Sequence, residues 1–304
     1  MNNLSKFLNK ENADLLLHNC ENFLFDCDGV IWNWPNLIPG SIEFINHAKQ
    51  LGKKCFFVTN NSTRTRETFA KQLENFGVKD VDESQIVCTA WILAEYLRSQ
   101  NFQDKVFLVG NPAMLKELEN SCIKHNALNE HEDFIFNSSN YDEIELDPKI
   151  KCVAVGIDYG LTFQKLIYAS SYLKNKDCIF ISTNDDSTLP VPFQDIVIPD
   201  AGPILKSIEK TTGRQALVLG KPNAIMWEIL SKSHSLDAKK TCMFGDRLDT
   251  DILFASNANI EYSVLVLSGI TTEKDVLNID AQVERKKIPS FYTNCLGDLL
   301  KFIL

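Results

Sequence analysis

Two carboxylates stand two residues apart after an apolar run, in the stretch FLFDCDGV that covers residues 23–30. Asp26 and Asp28 repel each other, and burying them is costly unless a cation or hydrogen bonds compensate. A carboxylate can attack phosphorus and form an aspartyl phosphate, and a second one can protonate the leaving oxygen and later deprotonate water. The pair therefore fits a nucleophile, Asp26, and a general acid/base, Asp28. A polar loop with an Asx turn before Gly29 explains the same stretch equally well.

A second acidic stretch, GDRLDTD, occupies residues 245–251 and follows an apolar run that ends at Phe244. Carboxylates that converge at strand ends make a site of hard oxygen ligands, which suits Mg²⁺. Asp246 and Asp251 could supply such ligands together with the first two acids, and the cation would offset their repulsion. An acidic calcium-like loop, or a helix N-terminus that favours acids, is the alternative for this stretch.

A third group of residues could hold a phosphate. Thr59 and Asn60 follow the apolar run KCFFV and offer a hydroxyl, an amide and backbone N–H groups at a helix start. Lys221 adds a compact positive charge, which suits the charge that spreads over a phosphoryl group during its transfer. Alternatively, Thr59 and Asn60 only cap the next helix, and Lys221 is a solvated loop lysine.

The surrounding stretches alternate between two periodicities. Short apolar runs such as residues 22–25, KCFFVTN and TCMFG predict buried strands, and IEFINHAKQLG predicts an amphipathic helix that closes at Gly52. Thr89 is predicted to cap a helix that runs through Arg98. Near-continuous apolar strands between helices indicate parallel sheets covered on both faces, so the chain is predicted to be α/β. Ligands bind such sheets beyond the carboxyl ends of the strands, where all the candidate residues fall.

Bulk composition limits the partners. The chain has 304 residues, which suggests about two domains, and a formal net charge of −9. This charge argues against nucleic acid or an anionic membrane as the main partner, while a local pocket can still bind a small anion. The N-terminus does not resemble a signal peptide, and no apolar run reaches the length of a membrane span.

The cysteines indicate the cellular compartment, and one group of cysteine and histidine residues is a weak candidate for a metal-binding site. Nine cysteines are scattered without a CxxC pair. This usage is typical of reduced thiols, and we expect a cytoplasmic protein. Cys27, between the two acids, is interpreted as a small apolar spacer. Cys122, His125 and His131 could bind zinc, but no second ligand pair follows, so this interpretation is not favoured.

The motifs DCDGV, VTNNS, GKP and GDRLDTDI occur in this order between residues 23 and 252. This set resembles the four motifs of the haloacid dehalogenase (HAD) superfamily of phosphatases. The long insert between the second and third motifs resembles the large α/β cap of the group that contains 4-nitrophenylphosphatase, phosphoglycolate phosphatase and pyridoxal phosphate phosphatase. The resemblance implies a Rossmann-like, doubly wound parallel-sheet core with an inserted α/β cap domain.

The resemblance also implies a role for each matching residue. Asp26 would be the nucleophile and Asp28 the general acid/base. Mg²⁺ would be held by Asp26, the main-chain carbonyl of Asp28 and Asp246, with Asp251 supporting the metal shell through a water or the lysine. Phosphate would be bound by Thr59, Asn60, Asn61 and Lys221. Superfamily dehalogenases lack the second aspartate, so Asp28 argues against that reaction.

Domain boundaries and partners follow from the same resemblance. The catalytic core is expected to combine residues 1–100 with 211–304, and the cap to span 101–210. No Pro/Gly-rich linker marks these boundaries. Relatives in this group often pair through their caps, so a homodimer is expected.

The expected substrate is a small phosphorylated metabolite, and the cap decides which one. The stretch STNDDSTLPV, residues 182–191, resembles phosphoglycolate-hydrolysing members; vitamin-phosphate members place a histidine where Leu189 stands. The best candidate is 2-phosphoglycolate, with 2-phospholactate as a close analogue because one methyl group is worth only ~1–3 kcal/mol of discrimination. The alternatives are a pyridoxal 5′-phosphate phosphatase and, more remotely, a non-catalytic phosphometabolite sensor. The loop could instead only pack a dimer.

Overall fold

The computed structural model describes residues 5–130, 143–189, 195–280 and 282–303. Strands and helices alternate along these residues. The strands are β1 (Lys6–Phe7), β2 (Asn22–Phe25), β3 (Trp32–Asn33), β4 (Asn36–Leu37), β5 (Lys54–Thr59), β6 (Ile86–Cys88), β7 (Lys105–Val109), β8 (Lys124–His125), β9 (Ile150–Val155), β10 (Ile179–Ser182), β11 (Thr188–Leu189), β12 (Ile198–Pro199), β13 (Leu217–Val218), β14 (Thr241–Gly245), β15 (Tyr262–Val266) and β16 (Phe291–Thr293).

The α-helices are α1 (Lys10–Asn19), α2 (Ser41–Gln50), α3 (Arg66–Asn75), α4 (Thr89–Ser99), α5 (Pro112–Asn120), α6 (Phe163–Tyr172), α7 (Ala201–Thr212), α8 (Ile225–His234), α9 (Leu253–Asn257), α10 (Glu273–Leu277) and α11 (Leu300–Ile303). Short 3₁₀ turns cover Glu83–Gln85, Ala238–Lys240, Arg285–Lys287 and Leu296–Leu299, and one π-helical turn covers Leu248–Ile252.

The chain forms two compact units. The first comprises Met1–Thr59, Arg66–Val87 and Lys221–Leu304, and the second comprises Asn60–Thr65 and Cys88–Gly220. Strand β13 belongs to the sheet of the second unit, directly before the chain returns to the first at Lys221. The functional division expected from the sequence, a catalytic core of 1–100 plus 211–304 and a cap of 101–210, stays a prediction.

The first unit is built on a seven-stranded sheet with the order β1-β16-β15-β14-β2-β5-β6. The central pairings of β2 with β5 and with β14 are parallel. From β2 the chain runs to β5 and β6 on one side, whereas β14, β15 and β16 lie on the other. The direction of winding therefore reverses between β2 and β14, which is where open parallel sheets place their ligands.

Aromatic side chains fill the core of the first unit. The rings of Phe25 and Phe244, on β2 and β14, stack with centroids 5.1 Å apart, and Phe23 meets Phe244 edge to face at 5.3 Å. Phe44, on the buried face of α2, lies 5.8 Å from Phe244. This packing covers the central strands and fixes the level at which β2 and β14 end.

The second unit has its own five-stranded sheet, with the order β13-β10-β9-β7-β8. Its paired strands run parallel, as in the registers of β7 with β9 and of β9 with β10. Side chains of β7 and β9, such as Phe107 and Val153, pack against α6 and α7 through Tyr168 and Leu205. The second unit therefore has an independent hydrophobic core.

The predicted α/β class with parallel sheets is confirmed, and so is the strand over Asn22–Phe25. One local prediction was wrong. Thr89 does not cap α4, since the N-cap position is Cys88 and Thr89 is the first helical residue. Its hydroxyl instead donates to the carbonyl oxygen of Asn60 at 2.6 Å. None of the described helices is long and apolar enough to cross a membrane.

Candidate active site

Asp26 begins the loop that follows β2. Its backbone N–H donates to the carbonyl oxygen of Phe244 at 2.9 Å, which extends the β2–β14 ladder by one residue. Its carboxylate is buried and lies 2.8 Å from the ammonium group of Lys221. The nucleophile expected from the sequence therefore stands at the point where the sheet reverses its winding, beside a positive charge.

Lys221 joins two carboxylates in the first unit. The Lys221 side chain is only 2% exposed, and its ammonium group lies 2.8 Å from Oδ1 of Asp26 and 2.7 Å from Oδ1 of Asp251. It also donates to the carbonyl oxygen of Val58, at the end of β5, at 2.9 Å. Burial alone would lower the pKa of this lysine, but Asp251 and Asp26 outweigh that effect and raise it. Lys221 is therefore a fixed cation, and the alternative of a solvated loop lysine is excluded.

Asp251 is held by backbone groups as well as by the lysine. Its Oδ2 accepts hydrogen bonds from the N–H groups of Asp246 and Arg247 at 3.2 and 3.1 Å. The π-helical turn over Leu248–Ile252 brings it back over the end of β14. Since both carboxylate oxygens already accept hydrogen bonds, Asp251 orients its neighbours, and the GDRLDTD stretch is a compact turn rather than an extended acidic loop.

Asp246 lies directly after β14 and is anchored on its other side. Its Oδ2 accepts from the N–H of Ile270 at 2.8 Å. Burial and Asp251 raise the pKa of Asp246 to about 7, although that hydrogen bond and the positive charge of Lys221 oppose the shift. Burial and Asp251 likewise raise the pKa of Asp26 well above its ordinary value, although Lys221 opposes the shift.

The acids form a candidate metal centre. Asp26, Asp246 and Asp251 each place a ligand atom within 4.8 Å of the others, and all three are buried. One lysine faces three carboxylates, so the cluster has an excess of negative charge. A donor set made only of buried carboxylate oxygens fits a hard divalent cation such as Mg²⁺, which would supply the missing positive charge.

The described residues hold no other cluster of this kind. In particular, Cys122 and His125 do not join one, and His131 lies outside the described residues.

Asp28 has a partner that sequence reasoning missed. The indole Nε1–H of Trp32 donates to Oδ1 of Asp28 at 2.8 Å, and the N–H of Gly29 donates to the carbonyl oxygen of Trp32 at 2.8 Å. Trp32 lies in the short hairpin formed by the antiparallel β3–β4 pair. No local pattern in the sequence predicts the indole donor, although a buried Trp N–H usually finds an acceptor.

The residues that follow β5 occupy both units. Thr59 is buried at the end of β5 in the first unit, whereas Asn60 and Asn61 belong to the second. The side-chain amide of Asn60 donates to Asp186 at 2.9 Å, and Oδ1 of Asn61 accepts from the N–H and hydroxyl of Thr63 at 2.8 and 2.7 Å. The structure thus gathers Asp26, Asp246, Asp251 and Lys221 in one cluster. Thr59 ends the neighbouring strand β5, and Asp28 lies in the loop that follows β2.

Comparisons with known proteins agree with this geometry. Residues 23–124 match a family model described as haloacid dehalogenase-like hydrolase, and residues 218–292 match a second HAD-like hydrolase model. The chain is 32% identical to glycerol-3-phosphate phosphatase of Mus musculus over 96% of its own length and 94% of that protein. It is also 32% identical to phosphoglycolate phosphatase 2 of Arabidopsis thaliana, over 98% of both chains.

A solved structure shows the same architecture. The crystal structure of 4-nitrophenylphosphatase from Thermotoga maritima superposes with a TM-score of 0.77 at 31% identity, covering 95% of this chain and 99% of that one. Fold, ordered motifs and full-length similarity all agree. The chain belongs to the haloacid dehalogenase-like hydrolase family and is a phosphoric monoester hydrolase.

Proposed function

We propose that the protein is a Mg²⁺-dependent phosphatase that hydrolyses small phosphorylated metabolites through an aspartyl-phosphate intermediate on Asp26. The observation that carries this proposal is the position of the Asp26 carboxylate, 2.8 Å from the buried Lys221 and within one cluster with Asp246 and Asp251. A nucleophilic carboxylate needs a neighbouring positive charge to accept a phosphate dianion, and Lys221 supplies one.

The reaction would proceed in two displacements. A carboxylate oxygen of Asp26 forms a bond to phosphorus while the bond from phosphorus to the ester oxygen breaks, and Asp28 gives its proton to the departing alkoxide. Asp28 then takes a proton from water, whose oxygen attacks phosphorus and breaks the bond to Asp26. Inorganic phosphate and the free Asp26 carboxylate result.

Mg²⁺ would be held by Asp26, the main-chain carbonyl of Asp28 and Asp246, with Asp251 fixing the arrangement through Lys221 and the backbone. Bound there, the ion would neutralise charge on the phosphoryl oxygens. The phosphate would be bound by Thr59, Lys221, Asn60 and Asn61. For the two asparagines we propose the backbone N–H groups as donors, because their side chains hydrogen-bond to Asp186 and Thr63.

The test is phosphate release by the purified protein from a panel of phosphate monoesters, with Mg²⁺ or with EDTA. Wild type should release phosphate only with the metal, and Asp26→Asn should be inactive while remaining folded. Beryllium fluoride with Mg²⁺ should then attach to the Asp26 carboxylate in a crystal structure. Absence of turnover on every monoester, or an adduct on another residue, would refute the proposal.

For the substrate we propose 2-phosphoglycolate, with 2-phospholactate as a second substrate. Leu189 supports this choice over pyridoxal 5′-phosphate, because leucine cannot donate a hydrogen bond to the pyridine ring. Leu189 lies on β11 and pairs with Ile198 on β12, while residues 190–194 lie outside the described residues. The similarity to phosphoglycolate phosphatase 2 agrees with the choice, and that to glycerol-3-phosphate phosphatase adds a competing substrate.

A comparison of kcat/KM decides among four substrates: 2-phosphoglycolate, 2-phospholactate, pyridoxal 5′-phosphate and glycerol 3-phosphate. A clear preference for pyridoxal 5′-phosphate would overturn the interpretation of Leu189, and one for glycerol 3-phosphate would replace the proposed substrate. Tight binding of a phosphometabolite without any turnover would instead support the alternative of a sensor.

We also propose that residues 101–210 act as a cap and that this cap pairs with a second copy of the chain in the cytoplasm. None of the nine cysteines, all of which are described, forms a disulfide, which agrees with a reducing compartment. Light scattering at micromolar concentration measures the mass, and a single-chain mass would contradict the dimer. Fractionation of the cells tests the compartment.

A further inference from the structure

The chain crosses from one unit to the other four times. Asn60 stands at the first of these passages and contacts residues at or next to two others. The passages lie at residues 59/60, 65/66, 87/88 and 220/221. The carbonyl oxygen of Asn60 accepts from the hydroxyl of Thr89, next to the third passage, at 2.6 Å. The side chain of Asn60 also lies against Gly220, at the fourth, where an added Cβ would stand 2.7 Å from its Oδ1. Only glycine allows this approach.

Asp186 orients the side chain of Asn60. Oδ2 of Asp186 accepts hydrogen bonds from the amide of Asn60 and from the amide of Asn184, both at 2.9 Å. With Nδ2 held in this way, Oδ1 of Asn60 must face Gly220. The backbone of Gly220 is fixed in turn, since its N–H donates to the carbonyl oxygen of Thr183 at 2.7 Å.

Asp186 is itself anchored in the second unit. The amide of Asn184 also donates to Asp200 at 3.1 Å, and its Oδ1 accepts from the hydroxyl of Thr183 at 2.9 Å. The carbonyl oxygen of Asp186 accepts from the N–H of Gly202, in the first turn of α7, at 2.9 Å. Asn184 is buried, whereas Asp186 and Asn60 are half-buried, so the network is anchored at its buried end.

We propose that Asp186 is a positioning residue for the phosphate site and acts through Asn60. Asn60 is bonded directly to Thr59, and Gly220 directly to Lys221, and both of these neighbours are among the residues assigned to phosphate binding. Holding Asn60 and Gly220 side by side therefore restrains the backbone directly after Thr59 and directly before Lys221. This inference rests on the proposed function, since it needs Thr59 and Lys221 as phosphate ligands.

The positioning role makes a specific kinetic prediction. Every substrate carries the phosphate group, so loss of the network should weaken the binding of all substrates to the same degree. It should weaken the binding of inorganic phosphate as well. For Asp186→Ala we expect KM on each monoester, and Ki for inorganic phosphate, to rise about tenfold, the usual consequence of losing a charge-assisted hydrogen bond. Asp186→Asn keeps an oxygen acceptor for both amides and should stay within about threefold of wild type.

Two controls separate this role from its rivals. Asp147→Ala removes another carboxylate of the second unit, one that accepts from Lys149 and Lys105, and should leave KM and Ki unchanged. Asn60→Ala combined with Asp186→Ala should cost no more than either change alone, because both break the same chain of contacts. If Asp186→Ala does not fold, as judged by its thermal melt, Asn60→Ala and Asp186→Asn still provide the comparison.

The outcomes distinguish the hypotheses. A rise in KM for some substrates but not others would show that Asp186 contacts the leaving group, and additive effects would show that Asn60 binds phosphate with its side chain. Unchanged KM and Ki in Asp186→Ala would likewise overturn the proposal. Calorimetric titration with inorganic phosphate and Mg²⁺ needs no turnover, so it tests the positioning role even if the proposed hydrolysis fails on every substrate.

Discussion

The indole Nε1–H of Trp32 donates to Oδ1 of Asp28 at 2.8 Å, and the indole itself is 1% exposed. A buried ring has little rotational freedom, so this donor restricts the rotamers available to the Asp28 carboxylate. In the proposed mechanism Asp28 protonates the departing alkoxide. Trp32 is therefore expected to hold the general acid in line with the leaving oxygen.

Trp32→Phe should selectively slow the hydrolysis of substrates that have poor leaving groups. An aliphatic alkoxide needs its proton before it departs, whereas 4-nitrophenolate is stable as an anion. We expect kcat/KM for an alkyl phosphate to fall about tenfold or more, and that for 4-nitrophenyl phosphate by less than about threefold, because general acid catalysis contributes most where the leaving group is basic. An equal loss on both substrates would mean that Trp32 only supports the fold.

Lys221→Met should destabilise the first unit far more than the loss of an exposed lysine. Lys221 is 2% exposed between Asp26 and Asp251, and its removal leaves buried carboxylates without their cation. We expect the free energy of unfolding, from urea denaturation in EDTA, to fall by about 3–5 kcal/mol. Lys206 pairs with Glu209 at 2.7 Å but is 63% exposed, so Lys206→Met should cost less than about 1 kcal/mol. Similar losses would contradict the buried triad.

The elements around the site could be predicted from the sequence because their signals are local. The continuous apolar run of β2 and the acids at its end lie within a few residues of each other, and parallel strands bring such ends to one edge of a sheet. The contact between Asn60 and Asp186 joins residues 126 positions apart, and no local pattern reports it. The passage at 220/221 was also hidden, because only Leu219 and Gly220 separate the end of β13 from Lys221, too few residues to form a recognisable linker.

Gly29 and Gly52 form a matched pair for testing the approach to Asp246. Both have a left-handed backbone, with φ of +79° and +78°, so alanine strains each to a similar degree. A Cβ at Gly29 would stand 2.4 Å from Oδ2 of Asp246, whereas one at Gly52 meets nothing within 4 Å. We expect Gly29→Ala to displace Asp246 and raise the Mg²⁺ concentration needed for half-maximal activity, and Gly52→Ala to leave it unchanged. The same metal requirement in both variants would contradict this close contact.

Asp246→Asn should remove a proposed metal ligand. The matched control is Asp249→Asn, in the π-helical turn that follows. Asp249 is 59% exposed and pairs with Arg247 at 3.1 Å. We expect the first change to abolish activity at millimolar Mg²⁺ and the second to leave it intact.

Burial raises the pKa of Asp246 to about 7 without metal. Protons should therefore compete with Mg²⁺, and wild type should need more metal at pH 6 than at pH 8. Metal activation independent of pH would argue against Asp246 as a ligand.

Asp200 should make the protein less stable as the pH rises through about 6. Burial raises the pKa of its carboxyl to about 6 from an ordinary 3.8, although hydrogen bonds from the Ala201 N–H and Asn184 oppose the shift. The folded protein binds this proton more tightly than the unfolded chain does. Ionised Asp200 therefore costs about 3 kcal/mol above pH 6, and the cost disappears as the pH falls towards 4.

Asp200→Asn cannot ionise and should lack this dependence. The amide has one acceptor where the carboxylate has two, so it loses one of the hydrogen bonds to Ala201 and Asn184 at every pH. That loss shifts the stability by a constant amount, whereas the missing titration changes with pH. We expect the difference in free energy of unfolding, variant minus wild type, to rise by up to about 3 kcal/mol between pH 4 and pH 7. Urea denaturation at half-unit steps of pH measures it, and a constant difference over that range would show that Asp200 is already ionised at pH 4 in the folded protein.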